Sequence, residues 1–144
     1  MIKKNRGLTI IELLIYFSLV SIVLIMSIRG FKIFRLEAEI TNGVRVVIAS
    51  LNTARYSSIS TYEKVKVLQD KNNICLQKKT NGSWKTYIKF IIKGKLYLKF
   101  NNSPVFSPLG SVAPLCSVYV WNKYKKYKSS ISISGRIKTR EIKF

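Results

Sequence analysis

The stretch that decides the fold is LTIIELLIYFSLVSIVLIMSI, residues 8–28. Its 21 residues include one charge, on Glu12, and neither Pro nor Gly. As a helix with a rise of about 1.5 Å per residue it would be about 31 Å long, close to the thickness of a bilayer core. A secretory signal peptide has a shorter apolar region followed by a small-residue cleavage site, and neither feature occurs here. The stretch therefore predicts a membrane-spanning helix.

Glu12 lies inside this apolar stretch and needs an explanation. A charged side chain costs about 2.5–3.5 kcal/mol at the middle of a membrane and less near the end of a helix. One explanation is that the carboxylate reaches the membrane surface from the fifth residue of the span. The other is a functional role, which the preceding residues help to define.

A short basic leader, Met-Ile-Lys-Lys-Asn-Arg, precedes the span and ends in Gly7. Together with the first apolar residues it gives KKNRGLTIIELL over residues 3–14, which resembles the class III leader of type IV prepilins and type II secretion pseudopilins. In that family a membrane aspartyl peptidase cuts after the Gly, and the new amino-terminal residue is usually methylated. The resemblance implies cleavage between Gly7 and Leu8, so that Glu12 becomes the fifth residue of the mature chain.

Cleavage at this position would give Glu12 a partner. It places an ammonium group on Leu8, about one helical turn from the carboxylate. In a bundle of such helices in lipid, the carboxylate of one subunit can pair with the ammonium of its neighbour, which offsets both desolvation costs and sets the register. We therefore expect Glu12 to direct assembly, with prepilin peptidase and other pilin or pseudopilin subunits as partners.

The orientation in the membrane follows from the resemblance and not from the flanking charges. Basic residues occur on both sides of the span, as Lys3, Lys4 and Arg6 before it and Arg29, Lys32 and Arg35 after it. The positive-inside rule therefore gives no clear orientation. Because the peptidase of the resembled family cuts on the cytoplasmic face, we expect a single-pass protein of the inner (cytoplasmic) membrane. Its carboxyl domain would lie outside and would later become part of a pilus or pseudopilus.

Beyond the span the apolar pattern changes twice. Apolar residues first recur at three- and four-residue steps, from Ile33 through Ile40 and Val47 to Ala54, which predicts an amphipathic helix. Apolar residues then alternate with Lys, which predicts an antiparallel sheet with one covered face. The expected fold is α+β, a long helix packed on an antiparallel sheet. Its expected parts are a cleaved leader (1–7), a transmembrane helix (8–30), an amphipathic continuation (31–60) and an exported β domain (61–144).

The residues around Gly94 predict a hairpin. A three-residue loop, Lys93-Gly94-Lys95, keeps the apolar residues on one face. It would pair Ile92 with Leu96, Phe90 with Leu98 and Ile88 with Phe100.

The last third of the chain shows further turns and strands. Ser107-Pro108-Leu109-Gly110 has the residues of a type I turn, and Gly135 makes the last reversal. Strands are expected near 117–121, 128–134 and 136–142. Residues 105–110 and 131–138 resemble the carboxyl domain of minor pseudopilins of the GspH/FimT type, which implies a pilin-like fold.

The net charge of +20, from 26 basic and 6 acidic residues, indicates a partner of opposite sign or a solvated surface. Two basic features stand out. The first is the wet face of the predicted hairpin, and it comprises Lys85, Tyr87, Lys89, Tyr97 and Lys99. The second is one side of the last strand, and it comprises Arg136, Lys138 and Arg140.

These basic residues make DNA a candidate partner. In the predicted register Lys89 opposes Lys99, a like-charge pair that a bound anion would stabilise. Some FimT-type proteins bind DNA through a Gly-Arg-x-Arg-like tail, which Gly135-Arg136-Ile137-Lys138 resembles. Solvation of Lys-rich strands explains the same residues without a ligand.

The two cysteines, Cys75 and Cys116, are too far apart in sequence for a CxxC motif. In an exported domain they could form a disulfide, which would stabilise the fold by roughly 3–4 kcal/mol by closing a long loop. They could equally be two small buried apolar side chains, and the sequence leaves both alternatives open.

The composition excludes several classes of enzyme. With no His, the chain has no Ser–His–Asp triad or Cys–His dyad and lacks the ligands of most zinc sites. We expect neither catalysis nor a metal or cofactor. The favoured function is a minor subunit of a type IV pilus or of a type II secretion or competence pseudopilus. The alternatives are a DNA-binding minor pilin for DNA uptake and an uncleaved, signal-anchored surface protein.

Overall fold

Helix α1 runs from Ile10 to Thr61. The computed structural model describes residues 9–80 and 82–143, with the backbone alone at Arg29. Thr9 caps the helix, because its hydroxyl accepts a hydrogen bond of 3.3 Å from the backbone N–H of Glu12. After Thr61, Tyr62 adopts a φ of 55°, the left-handed conformation in which many helices terminate. The predicted long helix is confirmed.

The chain divides into two compact units, Met1–Glu37 and Ala38–Phe144. In the first unit, large apolar side chains are exposed on all sides of α1, among them Ile10, Phe17 and Met26. By length and composition this helix can cross a membrane. A helix that is apolar all round needs an apolar environment, and lipid would supply it.

The second unit contains the end of α1 and two antiparallel sheets. The described residues form β1 (Val65–Asp70), β2 (Asn73–Thr80), β3 (Ser83–Ile91), β4 (Tyr97–Phe100), β5 (Val105–Phe106), β6 (Val112–Ala113), β7 (Ser117–Trp121), β8 (Lys126–Ile131) and β9 (Ile137–Ile142). The first sheet has the strand order β3-β2-β1-β5-β6, and the second has β4-β7-β8-β9. The predicted α+β architecture is confirmed.

The core of this unit combines one stripe of α1 with the inner faces of both sheets. It contains Ile40, Val44, Val47, Leu51 and Ala54 of the helix, Val65, Val67, Leu76 and Phe106 of the first sheet, and Leu98, Val118, Val120 and Ile131 of the second. The helix stripe follows the predicted three- and four-residue steps. Burial of this apolar stripe holds the sheets against the helix, because burying apolar surface stabilises a fold by about 25 cal/mol per Å².

The predicted hairpin around Gly94 is wrong. Ile88 lies opposite Leu76, and Phe90 opposite Ile74, because β3 pairs with β2. Leu98 and Phe100 lie opposite Val120 and Val118, because β4 pairs with β7 of the other sheet. None of the pairs Ile92–Leu96, Phe90–Leu98 and Ile88–Phe100 therefore forms across a hairpin. The residues after β3 cross from one sheet to the other and bury Ile92 and Leu96 in the core on the way.

The later turns and strands follow the sequence more closely. The Gly110 N–H donates to the Ser107 carbonyl at 2.9 Å, which confirms the turn at Ser107–Gly110. The chain also reverses at Gly135, whose N–H donates to the Ser132 carbonyl at 2.9 Å. Strand β7 has the predicted bounds. Strand β8 begins two residues earlier than expected and ends at Ile131, and β9 begins at Ile137.

Candidate functional sites

Glu12 lies in the first turn of α1, and its side chain is exposed. A carboxylate in the first turn interacts favourably with the positive end of the helix dipole. Among the side chains that the structure describes, no basic one forms an ion pair with it. Gly7 and Leu8, the predicted processing residues, lie outside the described part of the chain.

The predicted basic face of the hairpin is divided between the two sheets. Lys85, Tyr87 and Lys89 belong to β3 of the first sheet. The ammonium of Lys89 is 3.2 Å from the Asp70 carboxylate, and Lys89 lies opposite Cys75, so the predicted Lys89–Lys99 pair is wrong. The ring of Tyr87 is 5.1 Å from the ammonium of Lys78. These side chains therefore interact mainly with neighbours in their own sheet.

Tyr97 and Lys99 lie on the second sheet, where the register brings them to the same face as Lys138 and Arg140. Side chains directly opposite each other in an antiparallel pair share a face of the sheet. The register gives three rows across the strands, Tyr97–Trp121–Lys126–Ile142, Lys99–Tyr119–Lys128–Arg140 and Ser117–Ser130–Lys138. We call these residues the outer face of the second sheet. The inner face carries the buried side chains of Leu98, Val118, Val120 and Ile131.

Rings and ammonium groups are neighbours on the outer face. Tyr97 and Trp121 stack with their ring centroids 5.7 Å apart and their planes inclined by 22°. The ammonium of Lys126 is 5.8 Å from the Trp121 ring and 5.6 Å from the Tyr119 ring. Lys128 lies on the same Tyr119 ring, at 5.7 Å. These distances are within the range of cation–π attraction, so the rings hold the ammonium groups at the sheet surface.

The outer face is basic and has no acidic side chain among the described residues. Its cations are Lys99, Lys126, Lys128, Lys138 and Arg140. The neighbouring acid, Glu141, lies on the other face of β9 and accepts a hydrogen bond of 3.3 Å from the Tyr127 hydroxyl. The face therefore combines a positive potential with exposed rings, a combination suited to a polyanion that also carries flat apolar groups.

Comparison with known proteins gives a motif at the amino terminus and a fold for the remainder. A family model described as the prokaryotic N-terminal methylation motif matches residues 2–28. No curated protein matches the sequence.

Several solved structures share the fold. The minor pseudopilin EpsH of the type 2 secretion system of Vibrio cholerae matches with a TM-score of 0.60 and 11% identity, over 70% of this chain and 94% of that chain. A crystal structure of the same pseudopilin gives a TM-score of 0.61 and 12% identity, over 72% of this chain and 94% of that chain. The type IV minor pilin FimU of Pseudomonas aeruginosa gives 0.61 and 19%, over 74% and 92%. The chain has a prepilin-type amino terminus and a pilin-like fold.

Four residues on the outer face of this pilin-like chain were missed by the sequence reasoning. They are Tyr119, Trp121, Lys126 and Lys128. The signal was the two-residue period of β7, in which Tyr119 and Trp121 alternate with the buried Val118 and Val120. That period marks both aromatic residues as outward-facing.

Arg136 lies outside the last strand, so its predicted place on that strand is wrong. It belongs to the turn before β9, where its backbone N–H donates to the Ser132 hydroxyl at 3.1 Å. Its carbonyl accepts from the Ser132 N–H at 3.0 Å. The side chain is exposed, and only Lys138 and Arg140 of the predicted tail lie on the strand itself.

Both cysteines of the pilin-like domain are free and buried, in agreement with the second of the two alternatives. The Cys116 thiol donates to the Asn102 carbonyl at 3.0 Å. Burial raises the pKa of this thiol, so its reactive thiolate form is disfavoured. Neither cysteine belongs to a group of His, Cys, Asp and Glu side chains able to hold a metal in the described part of the chain.

Proposed function

We propose that the chain is a minor pilin or pseudopilin subunit that prepilin peptidase trims after Gly7. The mature subunit waits in the inner membrane and then joins a pilus, or a type II secretion or competence pseudopilus. The observation that carries this proposal is the exposed apolar part of α1, which overlaps the matched amino-terminal motif. The same helix continues into a pilin-like domain and contributes to its core. Its role is structural, with no catalytic step.

Glu12 would act when subunits associate. The ammonium created on Leu8 and the Glu12 carboxylate are both costly in lipid, and pairing between neighbouring subunits lowers that cost. A subunit that lacks the carboxylate would still enter the membrane, because the rest of the apolar stretch is unchanged. It would have no partner for its neighbour's amino terminus.

We expect Glu12→Ala to leave membrane insertion intact and to reduce incorporation into filaments. The measurement is the ratio of subunit in sheared filaments to subunit in the membrane fraction, in the native host. Glu37→Ala removes a carboxylate from the same helix beyond the apolar stretch and should leave the ratio unchanged. Normal incorporation of Glu12→Ala would contradict the assembly role.

Mass spectrometry of the native protein should find Leu8 at the amino terminus, whereas a chain that keeps residues 1–7 would favour the signal-anchored alternative.

We infer a second function, contact with DNA through the outer face of the second sheet. It is favoured by the cations of that face, which the described acidic residues do not neutralise. Phosphate contacts by Lys and Arg release counterions, so such binding weakens as salt rises. Arg136, in the turn before β9, is a further candidate contact.

The test compares two variants that remove the same amount of positive charge. In Lys128→Ala/Lys138→Ala/Arg140→Ala, DNA affinity should fall, and the slope of log K against log salt should become shallower by about one for each phosphate that the face no longer binds. The control, Lys66→Ala/Lys85→Ala/Lys89→Ala, changes the first sheet and should keep both values. Affinity is measured by fluorescence anisotropy with the full chain in a non-ionic detergent. Equally weakened binding in the two variants would mean that affinity depends on net charge and not on this face.

A further inference from the structure

We propose that the outer face of the second sheet prefers single-stranded to duplex nucleic acid, with bases stacked on the Tyr97–Trp121 ring pair and phosphates bound by the adjacent cations. The proposal rests on the DNA contact inferred above and specifies which form of nucleic acid the face takes.

The ring pair supplies a place for a base. Tyr97 lies on β4, the edge strand of the second sheet, and is 60% exposed. One side of its ring contacts Trp121, at 5.7 Å between centroids. The large exposure of Tyr97 means that much of the remaining ring surface is open to solvent. A base added there would extend an existing stack, and the rings need not rearrange to receive it.

The cations supply a track for the backbone beside the ring pair. Lys126 is held on Trp121 and Tyr119, and Lys128 is held on Tyr119. Arg140 lies opposite Lys128 on the next strand, about 5 Å further across the sheet. The aromatic groups thus lie on β4 and β7, toward one edge of the face, and the cations other than Lys99 lie on β8 and β9, toward the other. A single strand, with its bases on one side and its phosphates on the other, has the same division.

A duplex does not fit this arrangement as well. Its bases are stacked on each other, and it presents phosphates and groove edges to a protein. The described residues of the outer face lie on four paired strands, and none of them belongs to a helix that could enter the major groove. A duplex would therefore use the cations of the outer face and leave the Tyr97–Trp121 pair without a partner.

The first sheet provides a matched control for the ring pair. Trp84 also interacts with an ammonium group, that of Lys66, at 5.7 Å. Its sheet carries the Lys89–Asp70 ion pair, and its strand partner is Lys79, not an aromatic residue. Trp84 and Trp121 are the two tryptophans of the chain, so Trp84→Phe leaves Trp121 as the single indole fluorophore.

The experiment measures binding of labelled oligo-dT and of a blunt hairpin duplex by the full chain in a non-ionic detergent. The unmodified chain should bind oligo-dT more tightly. Trp121→Leu and Tyr97→Leu should each weaken oligo-dT binding by about tenfold, the effect of removing one stacked base, and leave duplex binding unchanged. Trp84→Leu should change neither. In the Trp84→Phe chain, oligo-dT should quench the fluorescence of Trp121. Circular dichroism and the unfolding midpoint show that each variant is folded.

The outcomes separate the two proposals. If both forms of DNA bind equally and the ring variants change nothing, the preference for single strands is wrong while the DNA contact stands. Inorganic polyphosphate has the charges and no bases, so displacement of oligo-dT by polyphosphate at equal phosphate concentration would also overturn the stacking. If the chain binds neither DNA at low salt, the DNA contact itself is wrong, and the preference fails with it.

Discussion

At the scale of single residues, Gly43 lies where α1 packs closely against the side chains of Leu96 and Val120. A Cβ atom at this position would lie 2.5 Å from Leu96 Cδ1 and 3.5 Å from Val120 Cγ1. Glycine lowers the stability of a helix interior by about 1 kcal/mol relative to alanine. The close approach of Leu96 gives a reason for it, because any larger side chain would require the Leu96 side chain to shift within the core.

We therefore expect Gly43→Leu to lower the free energy of unfolding by about 1–3 kcal/mol, the usual cost of overpacking a filled core. Gly30→Leu changes the same helix where nothing lies within 4 Å of the added Cβ, and it should not destabilise the chain. Urea unfolding followed by circular dichroism measures both. A Gly43→Leu chain as stable as the Gly30→Leu chain would mean that Leu96 moves aside without cost.

At the scale of elements, the strands could be predicted from the sequence and some of their partners could not. The two-residue period of β3 and β4 marks which side chains are buried, but it is the same whichever strand lies alongside. Strand β4 is stable as an edge strand without β3, because the Gln69 side chain forms hydrogen bonds with its free backbone groups. The Gln69 amide donates to the Leu98 carbonyl at 2.7 Å and accepts from the Phe100 N–H at 2.9 Å. No local pattern in the sequence reveals a glutamine that takes the place of a strand.

The same limit explains the outcome for the candidate sites. Glu12 could be proposed from the sequence alone, because it is the single charge in an apolar stretch. The basic and aromatic face was found only in part, because its residues come from β4, β7, β8 and β9, which are distant in sequence. Tyr97 was joined to Tyr87 through a hairpin that does not form, whereas its stacking partner is Trp121. To predict a surface that combines strands distant in sequence, one must know which strands pair and in which register, and the sequence pattern does not show this.

At the scale of the whole molecule, the part suited to a membrane and the part with a packed core are separate along the chain. The large exposed apolar side chains of α1 are concentrated between Ile10 and Phe34, whereas the buried core begins at Ile40. The second compact unit begins at Ala38, so it includes the half of the helix that the two sheets need. This separation suits a subunit whose apolar helix passes from lipid into a filament. The core of the domain is formed by the domain's own residues and does not depend on contacts with lipid or with other subunits.

The separation predicts that a chain beginning at Ala38 folds without the membrane segment. It keeps every residue of the hydrophobic core, from Ile40 to Ile137. We expect it to be soluble, to show helix and strand in its circular dichroism spectrum, and to unfold cooperatively in urea. A chain beginning at Asn52 lacks Ile40, Val44, Val47 and Leu51 and should not fold, because truncating a buried Ile or Leu alone costs about 2–5 kcal/mol. If the Ala38 chain aggregated or unfolded without cooperativity, the apolar segment would be part of what stabilises the domain, and a subunit could not carry a finished domain from the membrane into a filament.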